Sequence, residues 1–249
     1  MRRGLADTRT AARDAIVGGK VVVGGRATAK PATLVAPDEP IEVAGSQAAW
    51  ASRAGHKLAA ALDRFGLDVS AANALDVGAS TGGFTDVLLT RGAARVVALD
   101  VGYGQLLWRL RTDPRVVVVD RTNFRTADPA ALGAPFDAVV VDVSFIGLSL
   151  VAPNLARAGR PGTDYVVLVK PQFEVGRSRV GAGGVVRDPQ AHRDAVRTVA
   201  AALANAGIGV QGAMPSPISG AKGNREFLVH GRLGAAGIAA DRAADEAVP

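Results

Sequence analysis

From about residue 53 onward, short continuous apolar runs alternate with segments whose apolar positions recur every three or four residues. The runs predict strands at Ala74–Gly78, Arg95–Asp100, Val116–Val119, Ala138–Val143 and Tyr165–Lys170, with a final pair near 208–213 and 225–230. The periodic segments predict helices over 56–65, 83–91, about 105–111, 148–158 and 188–206. Val139-Val140-Val141 and Val166-Val167-Leu168-Val169 have no polar side. Strands of that kind are buried on both faces, so the pattern implies an α/β fold with a mostly parallel sheet covered by helices. The start of the chain reads differently. A helix over 8–18 is capped by Asp7 or Thr8 and ended by Gly18-Gly19. Lys20–Val23 and Ile41-Glu42-Val43 are short strands, and Gly24-Gly25 is a turn that tolerates positive φ. The expected division is a small α+β unit over 1–45, a linker over 46–52 carrying Trp50, a main domain over 53–235 and a tail over 236–249. The tail, rich in Ala, Asp and Arg, reads as a short helix or a frayed end.

Composition narrows the chemistry. The chain has 249 residues, 48% hydrophobic and 21% charged, which is ordinary globular usage. It has no cysteine, which excludes disulfide scaffolds, thiolate metal sites and cysteine nucleophiles. His56, His192 and His230 are too scattered to suggest a metal site, and no metal is expected. The net charge is +6, and residues 1–30 alone carry five Arg and two Lys against Asp7 and Asp14. A basic end on a nearly neutral body suggests a polyanion-binding module, with Arg2, Arg3, Arg9, Arg13 and Lys20 as its contacts. A solvated basic surface is the alternative. The longest uncharged stretch, 198–221, contains Asn205, Gln211 and two prolines and is no bilayer span. No apolar run of signal-peptide length precedes Arg13, so a soluble, cytoplasmic protein is expected.

Asp76-Val77-Gly78-Ala79-Ser80-Thr81-Gly82-Gly83-Phe84-Thr85 follows the first strand of the main domain and opens a helix. Glycines there let backbone approach a ligand and free the amides at the helix start. No Lys follows them, so this is no P-loop, and Ser80 breaks the dinucleotide fingerprint. Asp100 ends the next strand 22 residues after Gly78, where an acidic side chain takes ribose hydroxyls. The spacing resembles the first motif of S-adenosylmethionine-dependent methyltransferases. The candidate cofactor residues are Asp76, Gly78, Ser80, Thr81, Gly82, Gly83, Phe84, Asp100 and Asn123. Two further apolar runs stop at Asp142 and Lys170, which an open α/β sheet would turn into the same crevice; an isolated structural ion bridge is the alternative. The chain uses 24 Arg and only 5 Lys. An amine can lose its proton where a guanidinium cannot, so Lys57 and Lys170 point to acid–base chemistry.

Five segments in order carry a resemblance: 76–85, Asp-Val-Gly-Tyr-Gly-Gln-Leu (100–106), Asp-Val-Ser-Phe-Ile (142–146), Lys-Pro-Gln-Phe-Glu (170–174) and Gly-Gly-Val-Val-Arg-Asp-Pro (183–189). Together they resemble the TlyA family of ribosomal RNA 2′-O-methyltransferases, often called haemolysins. The resemblance implies a Rossmann-like class I methyltransferase domain of the FtsJ type, S-adenosylmethionine as cofactor, and cytidine in 23S ribosomal RNA as substrate, joined in some members by 16S. It implies a Lys-Asp-Lys-Glu tetrad at Lys57, Asp142, Lys170 and Glu226. Lys170 would be the general base, Asp142 would orient it, Lys57 would hold the ribose oxygen and Glu226 would hold Lys57. Residues 2–9 and 19–23 resemble the RNA-binding module of small-subunit ribosomal protein S four. Met1 falls where the family is already inside that module's first helix, so either an incomplete helix or a misassigned start codon is expected. Gly24-Gly25 stands where Asn-Gly is usual, and Ala-Ala-Trp-Ala lacks the Arg that often precedes Ala-Trp. The glycine- and arginine-rich loop 171–187 has the length of a substrate lid that grips phosphates; a floppy basic loop is the alternative. Ribosomal RNA or ribosomal subunits are the expected partners, with no membrane and no obligatory protein partner. A catalytically inactive ribosome-binding assembly factor and a pore-forming haemolysin are the rival readings.

Overall fold

The structure, a computed structural model, describes residues 5, 9–28, 30–36, 39, 41–43 and 50–248. The first unit is a helix, α1 (Arg9–Val17), beside the strands β1 (Val21–Val23), β2 (Arg26–Thr28) and β3 (Ile41–Val43), which form an antiparallel sheet in the order β2-β1-β3. Gly24 and Gly25 both have positive φ, 54° and 78°, which gives the β1–β2 hairpin the twist of its strands. The sequence pattern did not predict β2. Arg26-Ala27-Thr28 is short and polar, and it is a strand because Val21–Val23 pairs with it. Arg9, Arg13 and Lys20 are exposed. Arg2, Arg3 and linker residues 46–49 lie outside the described residues.

The main unit runs α2 (Ala54–Phe65), β4 (Asn73–Val77), α3 (Gly83–Thr90), β5 (Arg95–Leu99), α4 (Trp108–Arg111), β6 (Val116–Val119), α5 (Pro129–Leu132), β7 (Phe136–Val141), α6 (Ala152–Ala158), β8 (Gly159–Val169), α7 (Pro171–Glu174), α8 (Pro189–Asn205), β9 (Ile208–Pro215), β10 (Phe227–Leu233) and α9 (Ala240–Ala247). Seven strands form one sheet in the order β6-β5-β4-β7-β8-β10-β9. The first five are parallel, while β10 runs antiparallel to both β8 and β9. In β4, Leu75 and Val77 face the core layer built by α6, α8 and α9, whereas Ala74 faces the layer of α2 and α3. Asp188 caps α8 through the amides of Gln190 and Ala191, and Pro189 fits its first turn.

Several expected bounds shift. The helix near 105–111 is only Trp108–Arg111. The helix over 148–158 divides into a 3₁₀ turn, Leu148–Leu150, and α6, where Pro153 stands in the first turn and has no amide to continue the earlier one. Strand β8 begins at Gly159, because Gly159 already pairs with Phe136. Helix α5 was unpredicted, although Asp128 accepting the Ala130 amide and Pro129 at its start are ordinary signals. Residues 236–249, read as a tail, contribute α9 to the core. Ala243, Ala244, Ala247 and Val248 are all at most 1% exposed, and Arg193 donates to the Val248 carbonyl at 2.8 Å. No helix among the described residues is long and apolar enough to cross a membrane.

The strand order reverses between β4 and β7, so a crevice opens at their carboxyl ends. Gly78 and Asp142 meet there. Asp142 donates its amide to the Val77 carbonyl at 2.9 Å, and a Cβ on Gly78 would lie 2.5 Å from the Asp142 carbonyl oxygen. Gly78 also has φ 89°. This position therefore admits only glycine, for space and for conformation.

Candidate active site

A cavity of about 330 Å³ occupies this crevice. Gly78, Ser80, Asp100 and Asn123 line it, together with Ser144 and Phe145. The Asp100 carboxylate fixes the loops around it. Its Oδ2 accepts the Ser80 amide at 2.8 Å and its Oδ1 accepts the Gly102 amide at 2.7 Å. Each oxygen keeps a second lone pair for a ligand hydroxyl. Asn123 turns its own Oδ1 to the Arg125 amide at 3.0 Å.

The other expected cofactor residues serve the loop from behind. Phe84 is 2% exposed in the core under α3, so it does not line the cavity. Gly82 packs against Leu106 and Leu110, and Gly83 against Ser52. The Thr81 carbonyl accepts the Leu107 amide at 3.3 Å. Asp76 is fully buried beneath the glycine loop. Thr85 Oγ1 donates to Asp76 Oδ2 at 2.7 Å, while Oδ1 has no partner among the described residues. Burial pushes this carboxyl up to about 7, and nearby Asp142 and Asp100 add to the effect, against the Thr85 hydrogen bond. A buried carboxylate with an unpartnered oxygen beside a glycine loop fits a ligand that brings positive charge.

Sheet register assembles the remaining groups. Phe227 of β10 pairs with Val169 of β8, so Glu226 stands opposite Lys170 at the sheet's edge. Helix α2 brings Lys57 to Glu226, with Nζ 2.5 Å from Oε2 and both side chains nearly buried. A Cβ on Gly220 would overlap the Glu226 carboxylate, so the loop before β10 closes directly over it. Lys170 Nζ lies 2.5 Å from Asp142 Oδ1 in an ion pair. That oxygen is not aligned for a hydrogen bond; the aligned bond from Lys170 goes to Ser144 Oγ at 2.8 Å. All four residues expected to act together thus lie at the carboxyl edge, as two ion pairs.

Phe145, which lines the cavity, and two residues that tie the neighbouring loops, Glu174 and Asn224, escaped the sequence reading. Phe145 is 91% exposed with φ 66° and stacks obliquely on Phe173, ring centroids 5.2 Å apart. An exposed aromatic in a left-handed conformation is costly without a function, and Asp-Val-Ser-Phe carried no local signal of either property. Glu174 accepts the Leu148 amide and ties the segment after Lys170 to the one after Asp142. Burial pushes its carboxyl up to about 7, opposed by the Leu148 hydrogen bond. Asn224, 2% exposed, accepts the Val186 amide and donates to the Gly184 carbonyl, which pins the end of the loop 171–187.

A model of the FtsJ-like methyltransferase family matches residues 50–233. The chain is 50% identical over 230 residues to the 16S/23S rRNA (cytidine-2′-O)-methyltransferase TlyA of Mycobacterium tuberculosis, covering 92% of this chain and 86% of the relative. It is 38% identical to Hemolysin A of Brachyspira hyodysenteriae, covering 91% and 95%. Among solved structures, a candidate hemolysin from Streptococcus thermophilus superposes with a TM-score of 0.80 at 39% identity, covering 99% of this chain and 91% of that one.

Proposed function

The chain belongs to the TlyA branch of the FtsJ-like methyltransferases, and we propose that it methylates the ribose 2′-hydroxyl of cytidine in ribosomal RNA, with S-adenosylmethionine as donor. The observation that carries this reading is the pairing of Lys57 with Glu226 and of Lys170 with Asp142 beside the cavity that the glycine loop borders. When bound, S-adenosylmethionine supplies an already activated methyl group on a positively charged sulfur. Asp100 would hold its ribose, and Asp76 would offset its charge from beneath the loop. With the donor activated, placement of the acceptor oxygen supplies much of the rate.

Lys170 takes the 2′-hydroxyl proton on Nζ. Asp142 holds that amine and stabilises it once protonated. Lys57 holds the 2′-oxygen, and Glu226 keeps Lys57 in place: removing one partner of so buried a pair would strand the other. Phe145 offers its exposed face to the base of a nucleotide turned out of its stack. Arg121, Arg125, Arg177, Arg187 and Arg225 have no carboxylate partner among the described residues, whereas Arg179, Arg197 and Arg232 are paired. These five stand on loops after β6 and β8 and just before β10, all at the carboxyl edge of the sheet. They and the basic residues of α1 contact phosphates.

The M. tuberculosis relative is named for both 16S and 23S RNA, and those two molecules are the substrates to map here, within ribosomal subunits in the cytoplasm. The test is methyl transfer to unmodified ribosomal subunits, with 2′-O-methylcytidine mapped in each RNA. New 2′-O-methylcytidine in either RNA supports the reading. Binding without transfer, in the presence of the donor, would leave the assembly-factor reading in its place.

A further inference from the structure

We propose that Ser144 is a positioning residue for the transfer: its hydroxyl aims the Lys170 amine at the acceptor oxygen. The inference rests on the reading of Lys170 as the base. A lysine tip rotates freely on its stem, so charge attraction alone does not direct its lone pair. Asp142 lies 2.5 Å from Lys170 Nζ but outside hydrogen-bond alignment. Ser144 Oγ supplies the aligned bond, at 2.8 Å, and lines the cavity itself.

The turn that carries Ser144 is held at both ends. The Asp142 amide is bonded to the Val77 carbonyl, and the Leu148 amide to Glu174. Phe145 takes the left-handed conformation between them, with φ 66°. A neutral amine has two N–H groups and one lone pair. One N–H given to Ser144 fixes the rotation of the amine about its stem, and in the proposed geometry this directs the lone pair at the acceptor oxygen. As the 2′-oxygen forms its bond to the methyl carbon, the carbon–sulfur bond of the donor would break with its electron pair going to sulfur, and the oxygen's O–H bond breaks with its proton passing to that lone pair. The resulting ammonium keeps Ser144 and Asp142 as partners.

The test is single-turnover methyl transfer to ribosomal RNA at saturating donor. Ser144→Ala and Ser144→Thr are measured in the native background, and Ser144→Ala again in a Lys170→Arg background. Calorimetric affinities for S-adenosylmethionine and RNA are taken alongside. Ser144→Ala should slow transfer about 10-fold, the worth of one aligned hydrogen bond, and move both affinities by less than about 2-fold. Ser144→Thr keeps the hydroxyl and should restore most of the rate. In the Lys170→Arg background, Ser144→Ala should add almost nothing, because its effect runs through the amine.

A native rate in Ser144→Ala, failure of Thr to restore it, or the same loss in both backgrounds overturns the proposal. If Lys170→Arg leaves no measurable rate, rescue by Thr decides. Near-native turnover by Lys170→Arg alone overturns the base reading itself, and Ser144's role falls with it.

Discussion

Asp76→Asn should make the protein more stable at pH 8 while weakening its hold on S-adenosylmethionine. Asp76 is fully buried, and its carboxyl is pushed up to about 7 from an ordinary 3.8. At about 1.4 kcal/mol per pH unit, keeping it ionised in the fold costs about 4 kcal/mol. The sign follows from proton uptake. As pH rises, the unfolded chain ionises first, so stability is lost between about pH 4 and pH 7 and the full cost stands above that. The asparagine side chain would still accept from Thr85 Oγ1, but its NH₂ group would sit where Oδ1 now has no partner. An unmet buried donor costs about 1–3 kcal/mol. The net gain at pH 8 is about 1–3 kcal/mol, and near pH 4 the variant should be the less stable protein. Urea unfolding at both pH values measures this, with calorimetry of the donor beside it. Native affinity should rise with pH through about 7, and the variant should lose that dependence. A variant that is less stable by the same amount at both pH values would refute the reasoning.

Lys170→Arg keeps the charge but removes a titratable amine, and single-turnover transfer should fall about 10²-fold or more with donor affinity little changed. Asp100→Ala removes the ribose partner and also frees the Ser80 and Gly102 amides; calorimetric donor affinity should fall at least about 10-fold. Changing Arg177, Arg187 and Arg225 together to Gln should weaken RNA binding and flatten its dependence on salt by a slope of about 2–3, with donor affinity unchanged. An unaltered salt slope would remove those residues from the RNA face.

Local pattern determined much of this protein. Val116–Val119 is a strand with the bounds its apolar run predicts. Gly78 and Gly82 stand in the turn between β4 and α3, Gly83 opens α3, and Asp142 and Lys170 directly follow apolar strands. Such features depend on residues a few positions apart, so they survive in the sequence as periodicity and turn chemistry. Other features depend on pairing and packing between distant segments, and only the tertiary structure decided them. Asp76 and Phe84 looked like ligand contacts because they flank the glycines. Phe84 instead faces the core on the buried side of α3, and Asp76, on the α3 side of β4, lies beneath the glycine loop with its carboxylate bonded to Thr85. The tail read as either a short helix or a frayed end; it is a helix because alanines coincide on one face and fill the layer beside α8 and β9. Glu226 meets Lys57 across 169 positions, which requires β10 to enter antiparallel beside β8 in a single register. Ser144 and Phe145 carry no periodic signal at all. Their place at the cavity follows from a left-handed turn whose strain is sustained by bonds to Val77 and Glu174, and a partner supplied by another strand or helix leaves no trace in the neighbouring sequence.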